Sequence, residues 1–498
     1  MPVSLTAYQD LEKRFQKMAV LGEAQSMLHW DMAVMMPPGG AHARAEQMAA
    51  LRVMHHNQMI DPAVGDLLDE SEMMQLDGWQ RANVKEMRRG YIHATAVPAD
   101  LVEASSKAAA ACETIWREAR ITSDFKAVED SMKHVLNLTK EIGAAKADKL
   151  KCSLYDALLD QYEPDGKSAD IDPIFDDYAA FLPDFLQEVL DHQKSQGLPV
   201  QPKGPFPKEV QKKLTRKFAE AVGFDFMSGR MDESAHPFST GYKGDSRITV
   251  RYDEDDFASG IMAVLHECGH AMYEQGLPDQ WQHQPVGDAR GMAIHESQSL
   301  IVEMQACRSP EFVSWVGPQL AAAFGDDPAY KADNLYKIYT TVKPDFIRVD
   351  ADEVTYPAHV ILRYRLEKAM LEGDMNIGDL PSAWNEGMQQ LLGIVPPDHA
   401  RGCMQDIHWY DGAWGYFPTY TLGAMTAAQL YEKANFDQAD IKPALAKGDF
   451  GPLLSWLRQN IHSAGSRYST AELTTRATGK NLDPNNFKAH LKRRYLLD

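Results

Sequence analysis

The sequence of 498 residues has little cysteine, and its few cysteines are not arranged for disulfide bonds. Five cysteines are spread widely along the chain, and none forms a C-x-x-C pair. An odd number of widely spaced cysteines is typical of reduced thiols in a cytosol rather than of a disulfide framework. The sequence therefore predicts a cytoplasmic protein whose fold depends on its apolar core.

Long apolar runs and an excess of basic residues are also missing. No run approaches the roughly 18 residues of a membrane-spanning helix, and the opening MPVSLTAYQDLEKRF becomes charged too early for a secretion signal. Lys and Arg together number 51 against 71 Asp and Glu, which gives a net charge of −20. Such a surface repels phosphate backbones and anionic lipids, so we expect neither nucleic acid nor membrane as a partner.

Strand signals are few, and helical periodicity takes their place. The best strand signal is SRITVRYD at 246–253, which alternates and contains β-branched residues. Elsewhere apolar residues recur every three or four positions, as they do near the N-terminus at Leu11, Phe15, Met18 and Leu21. The sequence therefore predicts a mainly α-helical protein.

One stretch has the composition of a linker. LPVQPKGPFP at 198–207 is rich in proline, which disfavours regular structure. It could separate two helical halves, and a single catalytic domain over residues 1–498 is equally compatible with the pattern. Both arrangements stay open from the sequence.

The clearest chemical signal is HECGH at 266–270. His266 and His270 are four residues apart, so on a helix both rings project from one face and can reach one metal ion. Glu267 points to the adjacent side, where it can act as a base on a water near that ion. The pattern favours a zinc peptidase centre over two ordinary histidines on a half-buried helix.

A catalytic zinc ion takes three protein ligands and keeps one open position, so a third ligand is needed. GDARGMAIHESQSLIVEMQA predicts a second helix that begins near Asp288. Glu296 is the favoured ligand because it lies in the middle of this helix among small and apolar residues. Glu303 is interpreted as a surface residue or a support for a ligand, and His295 cannot share the direction of Glu296.

With these blocks in view, the chain resembles the carboxypeptidase Taq family of metallocarboxypeptidases. Beyond HECGH and HESQS, the resemblance extends in order along nearly the whole chain. The further blocks include HPF at 236–238, DSRIT at 245–249, IRVDAD at 347–352, GCMQDIHW at 402–409 and GYFPTYTLG at 415–423.

The resemblance implies a mainly α fold, a large groove-shaped helical body like that of neurolysin and angiotensin-converting enzyme. Two helical halves would flank the groove, and a very small β-sheet would lie near the zinc helix. The implied activity is a zinc-dependent carboxypeptidase of broad specificity that removes single residues from peptide C-termini. Co²⁺ would substitute for Zn²⁺, and the enzyme would be a homodimer. The family's third ligand, the glutamate of the HES block, corresponds to Glu296, beside His266 and His270.

Two residues are candidates for stabilising the charge that develops on the scissile carbonyl. His408 and Tyr420 resemble the histidine and tyrosine that donate hydrogen bonds to the oxyanion in related groove-shaped peptidases. Hydrogen-bond donors aimed at that oxygen lower the barrier to peptide hydrolysis. An alternative for Tyr420 is an aromatic residue of the core.

An exopeptidase must also recognise a free carboxylate, and the planar fork of arginine matches two carboxylate oxygens. Arg348 is the first candidate and Arg247 is the second. The alternative for Arg348 is an internal salt bridge to Asp350 or Asp352. The strand that carries Arg247 could instead line the groove and limit how substrates enter.

Two other functions compete with the carboxypeptidase. An oligopeptidase that cuts internal bonds of short peptides would use the same helix and groove. A catalytically silent zinc scaffold or peptide-binding module would show a damaged base or ligand. Because His266, Glu267, His270 and Glu296 are all present, the silent scaffold is the least favoured.

Overall fold

The structure is a computed structural model that describes residues 6–497, and helices dominate it. The helices are α1 (Ala7–Val34), α2 (Ala41–Met59), α3 (Pro62–Glu72), α4 (Gly78–Thr95), α5 (Ala99–Thr122), α6 (Phe125–Leu150), α7 (Leu154–Leu159), α8 (Ser168–Gln196), α9 (Lys208–Val222), α10 (Phe257–Gly276), α11 (Met292–Leu300), α12 (Pro310–Phe324), α13 (Ala332–Tyr339), α14 (Tyr356–Glu372), α15 (Leu380–Leu392), α16 (Pro418–Asp437), α17 (Ile441–Leu445), α18 (Gly451–Asn460), α19 (Thr470–Thr478) and α20 (Pro484–Tyr495). The strands are β1 (Gly229–Glu233), β2 (Ser239–Tyr242) and β3 (Asp245–Val250). None of the described helices is both long and apolar enough to cross a membrane.

The chain folds into two compact units, each built from three separate segments. The first unit contains the chain up to Ala94, Pro199–Tyr339 and Thr426–Leu482. The second unit contains Thr95–Leu198, Thr340–Met425 and the chain from Asp483 onward. One change of unit, between Leu198 and Pro199, falls in the proline-rich stretch that the sequence marks as a linker.

In the first unit, the N-terminal helices pack around a core of their own. Leu11, Phe15 and Met18 of α1 are buried, as the periodicity predicts, whereas Leu21 is partly exposed. They pack with apolar residues of α3 and α4, which include Val64, Leu68, Val84 and Met87. α1 ends at Val34, just before MPPGG at 36–40, whose prolines and glycines disfavour a continued helix.

The first unit also holds the sheet, in which the strands lie in the order β1-β3-β2. β3 runs parallel to β1 and antiparallel to β2, with Arg247 opposite both Arg230 and Thr240. The predicted strand at 246–253 corresponds to β3, and its buried residues Ile248 and Val250 belong to the core. The sheet packs beside α10, which confirms the expected mainly α fold with a very small sheet near the HECGH helix.

In the second unit, buried hydrogen bonds tie distant segments together. Glu367 of α14 accepts hydrogen bonds from Tyr155 Oη (2.7 Å) and Trp409 Nε1 (2.9 Å). Trp116 Nε1 of α5 donates to the carbonyl oxygen of Met404 at 2.9 Å. These bonds fix the loop that carries His408 between α15 and α16.

Candidate active site

Helix α10 carries the HECGH motif, and its local sequence explains where it begins and how it lies. Asp256 Oδ1 accepts hydrogen bonds from the backbone N–H groups of Ala258 (2.9 Å) and Ser259 (3.3 Å), so Asp256 is the N-cap of the helix. The apolar residues along one side of the helix are buried, from Phe257 through Ile261, Val264 and Leu265 to Cys268. This stripe fixes the rotation of the helix about its axis, which turns His266 and His270 toward α11.

Gly269, inside the motif, allows α11 to approach α10 closely. A Cβ atom built on Gly269 would lie 2.4 Å from the carbonyl oxygen of Gln298 and 2.5 Å from Cα of Ser299. Any other residue would therefore collide with the backbone of α11. The second helix begins at Met292, four residues after the predicted start, and its close contact with α10 brings Glu296 to the histidines.

The three predicted metal ligands converge. Glu296 Oε2 lies 3.4 Å from His270 Nε2 and 3.9 Å from His266 Nε2. One ligand atom from each residue lies within 4.8 Å of the other two. A tetrahedral ion with bonds of about 2.0–2.2 Å holds its ligand atoms about 3.3 Å apart. The nitrogen and oxygen donors of this cluster therefore fit a divalent metal ion.

The opposite nitrogen of each histidine ring has its own partner. His266 Nδ1 lies 3.0 Å from Glu303 Oε2, and Glu303 Oε1 accepts from Arg308 Nη2 at 2.6 Å. His270 Nδ1 lies 2.7 Å from His295 Nδ1, and His295 Nε2 lies 2.9 Å from a carboxylate oxygen of Glu274. These contacts hold both Nε2 atoms toward Glu296, which is how outer partners orient metal-ligating histidines.

Glu303 contacts His266, a predicted ligand, so its position matches the second of the two roles that the sequence left open for it. It lies in a π-helical turn, Ile301–Ala306, which continues α11 without a break, and only 8% of its surface is exposed. π-Helical turns are rare and occur often at functional sites. The signal in the sequence was the spacing, because Glu303 follows Glu296 by seven residues and so returns to the same face.

Without a metal, the pKa values leave Glu296 ionised and His270 neutral, as coordination requires, but leave His266 protonated. Burial raises the pKa of Glu296, but the hydrogen bond from His270 and the nearby imidazoles outweigh burial and lower it to about 2. Burial lowers the pKa of His270 to about 4. For His266, burial lowers the pKa, but Glu303, Glu296 and Glu267 outweigh that effect and raise it to about 10. Without a metal, a proton on His266 balances the carboxylates that would otherwise attract a cation.

Glu267 lies beside the ligands and turns toward the sheet, where its carboxylate accepts a hydrogen bond from the Ser239 hydroxyl of β2. Burial is the main cause that raises the pKa of Glu267 to about 7, and Glu296 adds to it. A carboxylate with a pKa near neutrality is suited to take up and release a proton. Arg247, on β3 of the same unit, forms a bidentate pair with Asp245 (2.8 and 2.6 Å) and stacks over Trp30.

The second unit holds the other predicted residues in one cluster. Arg348 is 6% exposed, and its Nε and Nη2 lie 3.0 and 2.8 Å from Asp406 Oδ1. Its Nη1 donates to Tyr356 Oη at 2.9 Å. The sequence offered Asp350 or Asp352 as salt-bridge partners, whereas the partner is Asp406, 58 residues farther along the chain.

His408 and Tyr420 are neighbours in this second unit. Their ring centroids are 6.4 Å apart, and the guanidinium of Arg348 lies 5.0 Å from the Tyr420 ring. Burial is the main cause that lowers the pKa of His408 to about 4. The ring is therefore neutral near pH 7, and its buried Nδ1 has no hydrogen-bond partner among residues 6–497.

The chain matches known proteins over its whole length. The family model of the carboxypeptidase Taq (M32) metallopeptidases matches residues 10–495. Thermostable carboxypeptidase 1 of Thermus thermophilus is 38% identical over 501 residues, which cover 98% of each protein. Among solved structures, Trypanosoma cruzi metallocarboxypeptidase 1 is 38% identical with a TM-score of 0.97 and covers 99% of this chain and 100% of its own. The Pyrococcus furiosus carboxypeptidase structure is 32% identical with a TM-score of 0.93 and covers 100% of both chains.

Proposed function

The chain belongs to the carboxypeptidase Taq (M32) family of metallopeptidases, and on this premise we propose which of its residues carry the reaction. It is a metallocarboxypeptidase, a peptide hydrolase that requires a divalent metal ion. The family match favours this activity over the alternative of an oligopeptidase that cuts internal bonds. The observation that carries the assignment of residues is the convergence of His266, His270 and Glu296 within 4.8 Å.

The metal would be Zn²⁺, with Co²⁺ as a substitute. Two imidazoles and one carboxylate are the donor set of many catalytic zinc sites, and three protein ligands leave a position open. The chemistry that such an ion supplies is Lewis acidity toward the scissile carbonyl and the attacking water. Glu303 and His295 would orient the two imidazoles from behind, through the hydrogen bonds to His266 and His270.

Glu267 is proposed as the general base. Its carboxylate takes the proton of the attacking water and passes it to the leaving amine, which departs as the released C-terminal residue. Without a metal ion, burial and Glu296 hold the pKa of Glu267 near 7. A bound cation would lower this pKa and keep the carboxylate ionised, as a base requires. The Ser239 hydroxyl keeps the carboxylate turned to the side of α10 next to the ligands.

The cluster of the second unit would handle the charged groups of the peptide. His408 and Tyr420 are proposed to donate hydrogen bonds to the oxyanion of the tetrahedral intermediate. Arg348 is proposed to bind the C-terminal carboxylate. Of its five N–H groups, three have the partners described above, and two remain for a ligand. Arg247, whose fork is already paired with Asp245, is the weaker candidate for this role.

The substrates would be peptides, shortened by one residue at a time with broad specificity. A homodimer is proposed on the family resemblance, and sedimentation velocity would test it. A cytoplasmic location is proposed because all five cysteines are free, and four of them are buried. Both compact units would belong to a single catalytic domain over residues 1–498.

Mass spectrometry of a ten-residue peptide tests the activity directly. The chelated protein should leave the peptide intact, and added Zn²⁺ or Co²⁺ should restore a ladder of products shortened only from the C-terminus. Internal fragments would instead support the oligopeptidase and would remove the need for a carboxylate-binding arginine. The absence of cleavage with either metal would contradict the proposed function.

A further inference from the structure

A second arginine lies behind Arg348 and binds the same carboxylate. Arg363 of α14 is fully buried, and its Nη2 and Nε lie 2.5 and 2.6 Å from Asp406 Oδ2. Asp406 Oδ1 receives Arg348 on its other side. The three side chains form a buried cluster, here called the Arg–Asp–Arg cluster, in which one carboxylate bridges two guanidinium groups.

The Arg–Asp–Arg cluster carries one uncompensated positive charge. Within residues 6–497, Asp406 is the carboxylate that lies within 4 Å of either guanidinium. Two histidines beside the cluster do not change the balance. Burial, with the two arginines, lowers the pKa of His359 to about 3 and that of His408 to about 4, so both are neutral near pH 7.

A buried net charge costs free energy unless a partner of opposite sign compensates it. Asp406 alone would neutralise Arg348 and leave little attraction for a second anion. Arg363 shares the negative charge of Asp406, and the cluster retains +1 as a result. An anion that reaches Arg348 would bring the cluster to neutrality, so its chemistry matches a carboxylate.

Arg363 and Tyr356 also fix the orientation of the groups around Arg348. The Arg363 guanidinium lies 4.5 Å from the centroid of the buried Trp384 ring, and its Nη1 donates to the carbonyl oxygen of His359 at 2.7 Å. Because these contacts fix Arg363, Arg363 in turn holds Asp406 from the side opposite Arg348. Arg348 is held at its other end by Tyr356 Oη.

We propose that Arg363 is a positioning residue that, through Asp406, keeps Arg348 oriented and the cluster at +1, and thereby sets the affinity for the C-terminal carboxylate of the peptide. This inference rests on the proposed role of Arg348. It adds a residue that does not itself contact the substrate. Charge and scaffolding can be separated at this position, because glutamine keeps a hydrogen-bond donor to Asp406 without charge and lysine keeps the charge without the planar fork.

The test measures binding in the Glu267→Gln background with Zn²⁺ bound, so that peptides stay intact. Calorimetry would compare one tripeptide with a free C-terminal carboxylate and the same tripeptide with a C-terminal amide. The dissociation constant of the amide divided by that of the free carboxylate reports recognition of the carboxylate alone. Arg363→Gln should reduce this ratio by about tenfold or more, since a unit charge a few ångströms away acts through protein of moderate dielectric. Arg363→Lys should keep most of the ratio.

Arg365→Gln is the matched control, because Arg365 lies on the same helix but is 43% exposed and pairs with Asp176. It should leave the ratio unchanged. An unchanged ratio in Arg363→Gln would overturn the inference, as would equal losses in Arg363→Gln and Arg363→Lys, since these would indicate scaffolding alone. If the parent protein binds both tripeptides equally, or if Arg348→Gln keeps the ratio, the proposed role of Arg348 itself is wrong.

Discussion

Replacing Glu303 should weaken metal binding although Glu303 does not belong to the proposed ligands. Its buried carboxylate lies 3.0 Å from His266 Nδ1 and is held from behind by Arg308. Loss of such an outer partner costs about 10–100-fold in metal affinity, which corresponds to about 1.4–2.8 kcal/mol. Glu303→Gln keeps an acceptor for the Nδ1 proton, so its loss of metal affinity should lie near the lower end of this range. Glu303→Ala removes the acceptor, so its loss of metal affinity should lie near the upper end.

Zinc affinity would be measured by competition with a chromophoric chelator at fixed pH, with thermal unfolding of the metal-free proteins recorded beside it. Glu220→Gln is the control, because Glu220 of α9 pairs with Arg216 on the surface and is 54% exposed. Its zinc affinity should equal that of the wild type. Wild-type affinity in Glu303→Ala would refute the reasoning, because the π-helical turn would then have no part in orienting His266.

Glu267→Gln should retain the metal and lose peptide hydrolysis, as metal analysis and a peptide digest of the same sample would show. An active variant would show that Glu267 is not the general base. In the wild type, protonation of Glu267 should cause the loss of kcat/KM at low pH, with a midpoint below the pKa of about 7, because a bound cation lowers that pKa. Gly269→Ala should lower the free energy of unfolding by about 1–3 kcal/mol in chemical denaturation, whereas Gly22→Ala, with open space around its Cβ position, should not. Binding of Zn²⁺ at pH 8 should release about one proton, since His266 must lose its proton to coordinate. Calorimetry in buffers of different ionisation enthalpy measures the number of protons released, and a value near zero would contradict the protonated state of His266.

The convergence of the proposed metal ligands could be predicted from the sequence because most of their information is local. His266, Glu267 and His270 lie within one and a half turns of a single helix, and helical geometry alone places them together. Glu296 required a second helix, and its choice over His295 followed from position within that helix and from the family resemblance. The short strands β1 and β2 carry too few alternating residues to be recognised from the sequence, whereas β3 was found by its β-branched alternation.

What the sequence could not predict depends on the approach of distant segments. The partner of Arg348 is 58 residues away, and no periodicity links Arg348 with Asp406. The role of Gly269 also depends on the backbone of α11, because a glycine inside a helix is otherwise a mild irregularity. Burial decides the pKa values of Glu267 and His408 and is likewise a property of the packed molecule.

In each unit, a proposed functional side chain is held by a carboxylate that is itself held by an arginine. The net charge of the three groups differs between the two units. In the first unit, His266 is held by Glu303, which is held by Arg308. Once His266 has released its proton to a metal ion, its neutral imidazole, the carboxylate and the guanidinium sum to zero. The nearby carboxylates of Glu296 and Glu267 then leave the centre negative and suited to a cation.

In the second unit, Arg348 is held by Asp406, which is held by Arg363, and the sum is +1. The carboxylate has the same geometric task in both arrangements, since it orients the group in front of it and is itself fixed by an arginine. On the proposed assignments, the imidazole of His266 would bind a metal ion and the guanidinium of Arg348 would bind a carboxylate. Removal of the charge of the arginine that fixes the carboxylate, Arg308 or Arg363, should therefore act differently in the two units. Loss of the Arg363 charge should weaken anion binding. Loss of the Arg308 charge should have two opposing effects on metal affinity, because it removes a positive charge near the proposed metal ion and also releases Glu303 from its fixed position.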